Sequence, residues 1–248
     1  MKVGGNLPFW SACEHLNLTL NTNAGVPFFP LAGPQSFALT QVEAGAWPSR
    51  RGVIRLIYGG VFERHPGPRY VLTECARGWW ACTARDPDDA WGGPTPAFRA
   101  QVPKKPSEYM RGNVFVGARF IPPGQVQEAL ADDCWCNVIW GQDYPHGEGT
   151  YKFPEHDGEP STTRRYLRWA FAGCPPEQAS AMLGENGVCA YNLDRAKLAQ
   201  VAAQIGPTAE EIAQPLEQLP SGGYGDIYDI YSQSGTTTMT GPTATAME

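Results

Sequence analysis

The stretch "NVIWGQDYPHGEG", residues 137–149, decides how the chain is read. It begins as an apolar run, Asn137-Val138-Ile139-Trp140, and then breaks into Gly141, the carboxylate of Asp143, a proline turn, His146 and more glycine. A short apolar run bounded by turn residues is the pattern of a buried strand. Such a strand either delivers Asp143 and His146 to an active site or ends in a polar turn between two elements. In parallel α/β folds the functional side chains gather at the carboxyl ends of the strands. The setting of this strand therefore settles what Asp143 does.

Outward from it, three further strands stand out: "LNLTLNTN" (16–23), "RYVLTE" (69–74) and "NVFVGARF" (113–120), with "CNVIWGQD" (136–143) as the fourth. Between them, "RGVIRLIYGGVFERHP" (51–66) carries helical apolar spacing at Val53, Ile54, Ile57, Val61 and Phe62 and stops at Pro66. "PGQVQEALADD" (123–133) reads as a short helix. After the fourth strand only helices follow: 175–193, opened by prolines, then 194–206, capped by Asp194 and closed on Gly206. "TAEEIAQPL" has the capping-box pair Thr208 and Glu211.

Strands separated by helices point to βα units and a parallel sheet. Four units are too few to close an eight-stranded barrel. The long Trp- and Pro-rich connection 75–112 is the length of a lid or pocket wall. No internal repeat is evident. Residues 1–218 read as the folded domain. Residues 219–248, rich in Gly, Ser and Thr, read as a flexible tail or a loosely attached arm.

The bulk numbers exclude several classes. A net charge of −6 and a pI near 5.3 argue against a nucleic-acid surface or a polybasic membrane anchor. No apolar segment is long enough to span a bilayer, and the expectation is a cytoplasmic protein. The seven cysteines are odd in number and irregular in spacing. Cys134 and Cys136 stand at the start of a strand, where packing is their expected role and reduced thiols their expected state.

The strand-end rule selects Asn21, Thr22 and Asn23 after the first strand, Glu74 after the second, Arg119 near the end of the third and Asp143 after the fourth. Glu74 and Asp143 are oxygen donors able to bind a divalent cation or carry a proton. Acidic residues at strand ends also commonly accept local backbone N–H bonds. Arg77, Trp79 and Trp80 follow Glu74 and either overhang a pocket suited to a planar carboxylate or fill the core. Lys104 and Lys105 read as a solvated face.

From "PFWSACEHLNLTLNTNAG" to "AQIGPTAEEIAQPL" the order of motifs resembles the C-terminal half of the amidohydrolase-related family. Its members include metal-dependent hydrolases and decarboxylases of the aminocarboxymuconate-semialdehyde type. The stretches that carry the resemblance are "GGVFERHPGPRYVLTE", "KKPSEYMRGNVFVGARF", "NVIWGQDYPHGEGTYKFPE" and "AMLGENGVCAYNLD". The resemblance implies an α/β fold, a partial (β/α)8 TIM-like barrel made of strands five to eight with their helices, the N-terminal half being absent. It implies that Asp143 binds a catalytic divalent metal, zinc or manganese, and takes the proton of the bound water. Glu74 and Asn23 stand at other ligand positions, while Arg77, Trp79 and His146 line the pocket of a small-molecule substrate, such as a carboxylate. Hydrolysis and decarboxylation, hydrolase and lyase chemistry, both stay open.

Two departures bear on activity. No H-x-H pair occurs among the four histidines, His15, His65, His146 and His156. Asn23 stands where a histidine ligand is expected, and Glu74 where a further one is usual. The expectation is a truncated fragment, inactive alone. The alternative is a non-catalytic binding or scaffold protein that self-associates or pairs with a partner half-barrel. A third reading, an unrelated open α/β domain, finds no Gly-rich phosphate loop in support of nucleotide binding.

Overall fold

The computed structural model describes residues 7–23, 47–73, 78–94, 96–119, 121–142, 144, 150–151 and 161–216. In chain order the elements are α1 (Leu7–His15), β1 (Thr19–Thr22), α2 (Trp47–Tyr58), α3 (Val61–Arg64), β2 (Arg69–Thr73), α4 (Trp79–Gly92), α5 (Pro96–Arg99), α6 (Pro106–Asn113) and β3 (Val114–Arg119). There follow α7 (Pro123–Ala131), a 3₁₀ turn (Trp135–Asn137), β4 (Val138–Trp140) and α8 (Thr162–Ala170). A continuous helical run then passes through α9 (Pro176–Ser180), a π turn (Ala181–Glu185) and α10 (Asn186–Tyr191), before α11 (Arg195–Ile205) and α12 (Ala209–Ala213).

The strands pair in parallel in the order β1-β2-β3-β4. That order never reverses, so the sheet lacks the switch point at which doubly wound folds bind their ligands. Alternation of side chains along each strand makes two unlike faces. Leu72, Val116 and Val138 share one row of the register. With Tyr70 and Val114 they form the outer face, packed under α2, α3, α4 and α6 through α8 in one core that includes Phe62, Met110 and Tyr166. Val71 and Phe115, paired in register, join Ile139 on the inner face, where Ala190 and Tyr191 of α10 pack against them.

Three buried asparagines pin the entry to the strands. Asn113 precedes β3 and donates its amide to the carbonyls of Pro66 and Pro68, ahead of β2. Asn137 precedes β4 and donates to Arg111 and Val114, where β3 begins. Asn186 of α10 does the same for Trp135 and Val138 at the start of β4, at 2.7 Å to each. Each amide satisfies carbonyls that would otherwise be buried without a donor. The sequence carries the sign of this in a local repeat, "NVFVG" (113–117) and "NVIWG" (137–141), contrary to the expectation of none.

The parallel sheet of four strands is as expected, and the boundaries differ for physical reasons. The first strand starts at Thr19 rather than 16; Leu16 and Leu18 stay exposed in the turn that leaves α1, a helix the sequence reading missed. The helix expected over 51–66 starts at Trp47 and is broken at Gly59 and Gly60, the latter in the left-handed region at φ +65°. Within the connection 75–112, the described residues form α4 to α6, the helical crossover to β3, with Trp79 and Trp80 buried in the outer core.

The helix expected over 175–193 holds a π turn where it passes β4. Cys134 and Cys136 sit around a 3₁₀ turn rather than a strand start, the first buried and the second exposed, and the described cysteines are all free. Thr208 caps α12 as expected by accepting the Glu211 N–H. The Glu211 carboxylate turns instead to Arg164, 3.5 Å away. Lys104 and Lys105 are exposed, as read. The expected tail, 219–248, lies outside the described residues.

Candidate functional site

The parallel arrangement brings the carboxyl ends of β1, β2, β3 and β4 to one rim. On β1, the Thr22 hydroxyl donates to the Tyr70 hydroxyl at 3.1 Å. The Thr73 hydroxyl donates to the Thr22 carbonyl, tying the ends of β1 and β2. Asn21 accepts the Tyr191 hydroxyl at 2.7 Å, and burial pushes that phenol above its ordinary range. Beyond β4, Thr150 donates its N–H to the Gln142 carbonyl, and Thr163 at the start of α8 donates its hydroxyl to the Thr150 carbonyl at 2.6 Å. Near this return the Trp140 indole N–H and the hydroxyls of Thr150 and Thr162 are buried without a hydrogen-bond partner among the described residues. Buried polar groups without partners are costly and mark places where a polar ligand or water is needed.

Of the residues singled out in the sequence, Asp143, Glu74, Arg77 and His146 lie outside the described residues. Asn23 follows β1 directly and is exposed. Trp79 is 5% exposed and belongs to the outer core. It also walls a crevice of about 60 Å³ with Trp80, Val116, Cys134 and Val138, where Glu128 accepts the Gly78 N–H at 2.8 Å. This crevice lies on the helix-covered side of the sheet, because Val116 and Val138 point there. Its Cys134 thiol is pushed up to about 12, chiefly by burial, which leaves it un-ionised and inert at neutral pH.

The described residues do not fit a resident cation. No group of three His, Cys, Asp or Glu among them could hold one. Asn23 offers a neutral oxygen, and the orphaned atoms near β4 are an indole N–H and two hydroxyls, none of them a strong ligand for zinc or manganese. His65 faces the opposite end of the sheet, ahead of β2, where its Nδ1 lies 3.1 Å from Glu14. Sequence reasoning missed Tyr191 and Thr150 altogether. Tyr191 meets Asn21 across 170 positions, a separation at which spacing carries no signal.

A family model described as "Amidohydrolase" matches residues 3–193. Comparison with the curated proteins finds no match. Among solved structures, 5-carboxyvanillate decarboxylase from Sphingomonas paucimobilis is similar at 20% identity and a TM-score of 0.50, over 76% of this chain and 53% of that one. A dihydroxybenzoic acid decarboxylase from Polaromonas, solved with bound manganese and the inhibitor 2-nitroresorcinol, is similar at 16% identity and a TM-score of 0.52, over 79% and 56%. A 2,6-dihydroxybenzoate decarboxylase from Rhizobium is similar at 14% identity and a TM-score of 0.53, over 75% and 55%. The chain thus spans about half the length of these solved structures.

Proposed function

Because the chain belongs to the amidohydrolase family, we propose that it supplies strands five to eight of a (β/α)8 barrel in a metal-dependent hydrolase or decarboxylase, with Asp143 as its proton-transfer group. The observation that carries the reading is the end of β4. The strand stops at Trp140, and the next carboxylate in the matched region follows three residues on, in "GQD". A carboxylate is a group able to accept a proton and to give it back. In hydrolysis it would take that proton from water and return it to the leaving group. In decarboxylation it would hold the proton first and deliver it to the carbon from which carbon dioxide departs.

Glu74 and Asn23 would stand beside Asp143 at the rim as further oxygen donors. Arg77 would meet a substrate carboxylate bidentately, with Trp79 behind it and His146 at the mouth. The known substrates of the Rhizobium and Polaromonas enzymes make a hydroxylated benzoate the first class to try. The divalent cation, zinc or manganese, would be held by the completed barrel, since the described residues here do not make its site. The same reading makes the protein cytoplasmic, with reduced thiols; among the described residues, no helix is long and apolar enough to cross a membrane.

A second reading, a binding or scaffold protein without catalysis, draws on the neutral, exposed Asn23 and on the lack of a donor cluster among the described residues. Metal content and carbon dioxide release from hydroxybenzoates decide between them, measured on this chain and on any longer in-frame product. Catalysis predicts stoichiometric zinc or manganese and a fall of about 10²–10⁴-fold in Asp143→Asn. A folded, metal-free and inactive protein of full in-frame length would leave the scaffold reading standing.

A further inference from the structure

The helix α11 has no buried residue. Yet Leu198, Val201, Ala202 and Ile205 recur at the spacing of a single helix face. Leu198 is 43% exposed, Val201 52% and Ile205 71%. A helix of 11 residues is below or at the about 12–15 residues at which isolated helices become stable in water. Its charged residues are already engaged nearby, Arg195 bidentately with Glu185 and Lys197 with Asp194, so the stripe itself is bare of charge. Such a stripe requires a cover.

Area decides what kind. At 1.5 Å per residue and roughly 10 Å of width, the face of α11 offers about 160 Å², far below the roughly 800 Å² per partner of a stable interface. A free partner or a second copy seated on this face alone would not stay. A tethered segment needs far less area, because a short linker holds it at an effective concentration of about millimolar.

The path of the chain supplies the tether. Arg164 and Arg168 lie one turn apart on α8. Arg164 Nη2 donates to the Ile205 carbonyl at the end of α11. Arg168 Nη2 donates to the Pro215 carbonyl, and its Nε to that of Gln214. The chain leaving α12 is thereby brought back beside the carboxyl end of α11. Beyond Leu216 the first apolar cluster is "YGDIYDIY", 224–231, in a stretch otherwise rich in Gly, Ser, Thr and Pro. Tyr224, Ile227, Tyr228 and Tyr231 repeat the spacing of the α11 stripe. The eight residues from Leu216 to Tyr224 reach up to about 26 Å, more than the roughly 16 Å length of α11.

We propose that Tyr224–Tyr231 docks in cis on the Leu198–Val201–Ile205 stripe and covers α11. The proposal stands apart from the catalytic reading and needs no activity to test it. Amide hydrogen exchange of residues 195–205 is compared between the wild-type full chain and full-length Ile227→Asp/Tyr231→Asp, whose substitutions lie outside the described fold. Exchange is measured at two protein concentrations, with sedimentation velocity alongside. The expected result is about tenfold or greater acceleration across α11 in the variant, independent of concentration and with the same sedimentation coefficient class. The reverse variant, Val201→Asp, should release residues 224–231 to exchange at the rate of an unprotected chain. Unchanged α11 exchange overturns the proposal, and so does protection that grows with protein concentration, which would assign the cover to a second copy.

Discussion

The two faces of the sheet are equally dry and are kept dry by different means. Val71 on the inner face and Leu72 on the outer face are neighbours on β2, and each has 0% exposure. Leu72 sits in a core shared by many helices, with Phe62, Met110 and Tyr166 among its members. Val71 shares a cluster with Phe115, Ile139 and Ala190, with Tyr191 against its edge. Among the described residues, the outer face is secured by several helices and the inner face by the end of one. Fractional burial alone does not reveal that difference, but the response to substitution should.

The largest effect is expected on the inner face at Gly117. Its φ is +130°, and an added Cβ would run into the Ile139 carbonyl oxygen, where β3 and β4 shift register. That obstacle is backbone, so Gly117→Ala should cost more than about 4 kcal/mol or prevent folding, as read by urea denaturation and near-ultraviolet circular dichroism. Leu72→Ala on the outer face should cost about 2–5 kcal/mol and yet bind no hydrophobic dye below the unfolding transition, because the surrounding helices stay in place. If both substitutions cost alike and both admit dye, the contrast between the faces is wrong.

Asn186→Ala should cost about 1–3 kcal/mol, the penalty of leaving buried carbonyls without their donor. Because Asn186 tethers α10 to β4, it should also raise dye binding under native conditions, which Leu72→Ala should not. The smallest effect belongs to Glu14, which touches neither face. The Gly67 N–H first, and then His65, hold its carboxyl below the usual range. A depressed carboxylate stabilises the fold above its unfolded value of 4.5, and that contribution fades as pH falls through the lower folded value. Glu14→Gln should therefore flatten the acid side of the stability profile slightly, with the small loss present at neutral pH and gone at low pH; an identical acid limb in both proteins would remove Glu14 from the account.

The sheet was legible because each strand obeys local rules: apolar runs of the right length, turn residues at their ends and helical patterns between. The parallel order follows from that alternation. What stayed hidden is long-range or conformational. The break at Gly60 depends on a left-handed residue inside an otherwise helical pattern, and the π turn near Asn186 leaves no mark on periodicity. In the connection 75–112 the Trp and Pro content suggested a lid or pocket wall but not the helices α4 to α6, from which Trp79 and Trp80 pack into the core while walling the crevice. Of the candidate site, the strand-end rule chose Asn21 and Thr22, which do make hydrogen bonds at the rim, but it could not name their partners. The Tyr191–Asn21 bond and the orphaned Trp140 and Thr150 atoms arise only when distant segments meet.

The asparagines carry a consequence for how such a sheet can be extended or cut. The amide ahead of β3 secures β2, and the one ahead of β4 secures β3, so these two strands are each anchored by the next. A series built on that rule can be lengthened one unit at a time without disturbing the units already placed. Among the described residues no strand follows β4. Asn186 fills that role from a helix, giving β4 the same two-carbonyl anchor that a fifth strand's asparagine would have given it. The residue thus closes the series from a helix rather than from a strand.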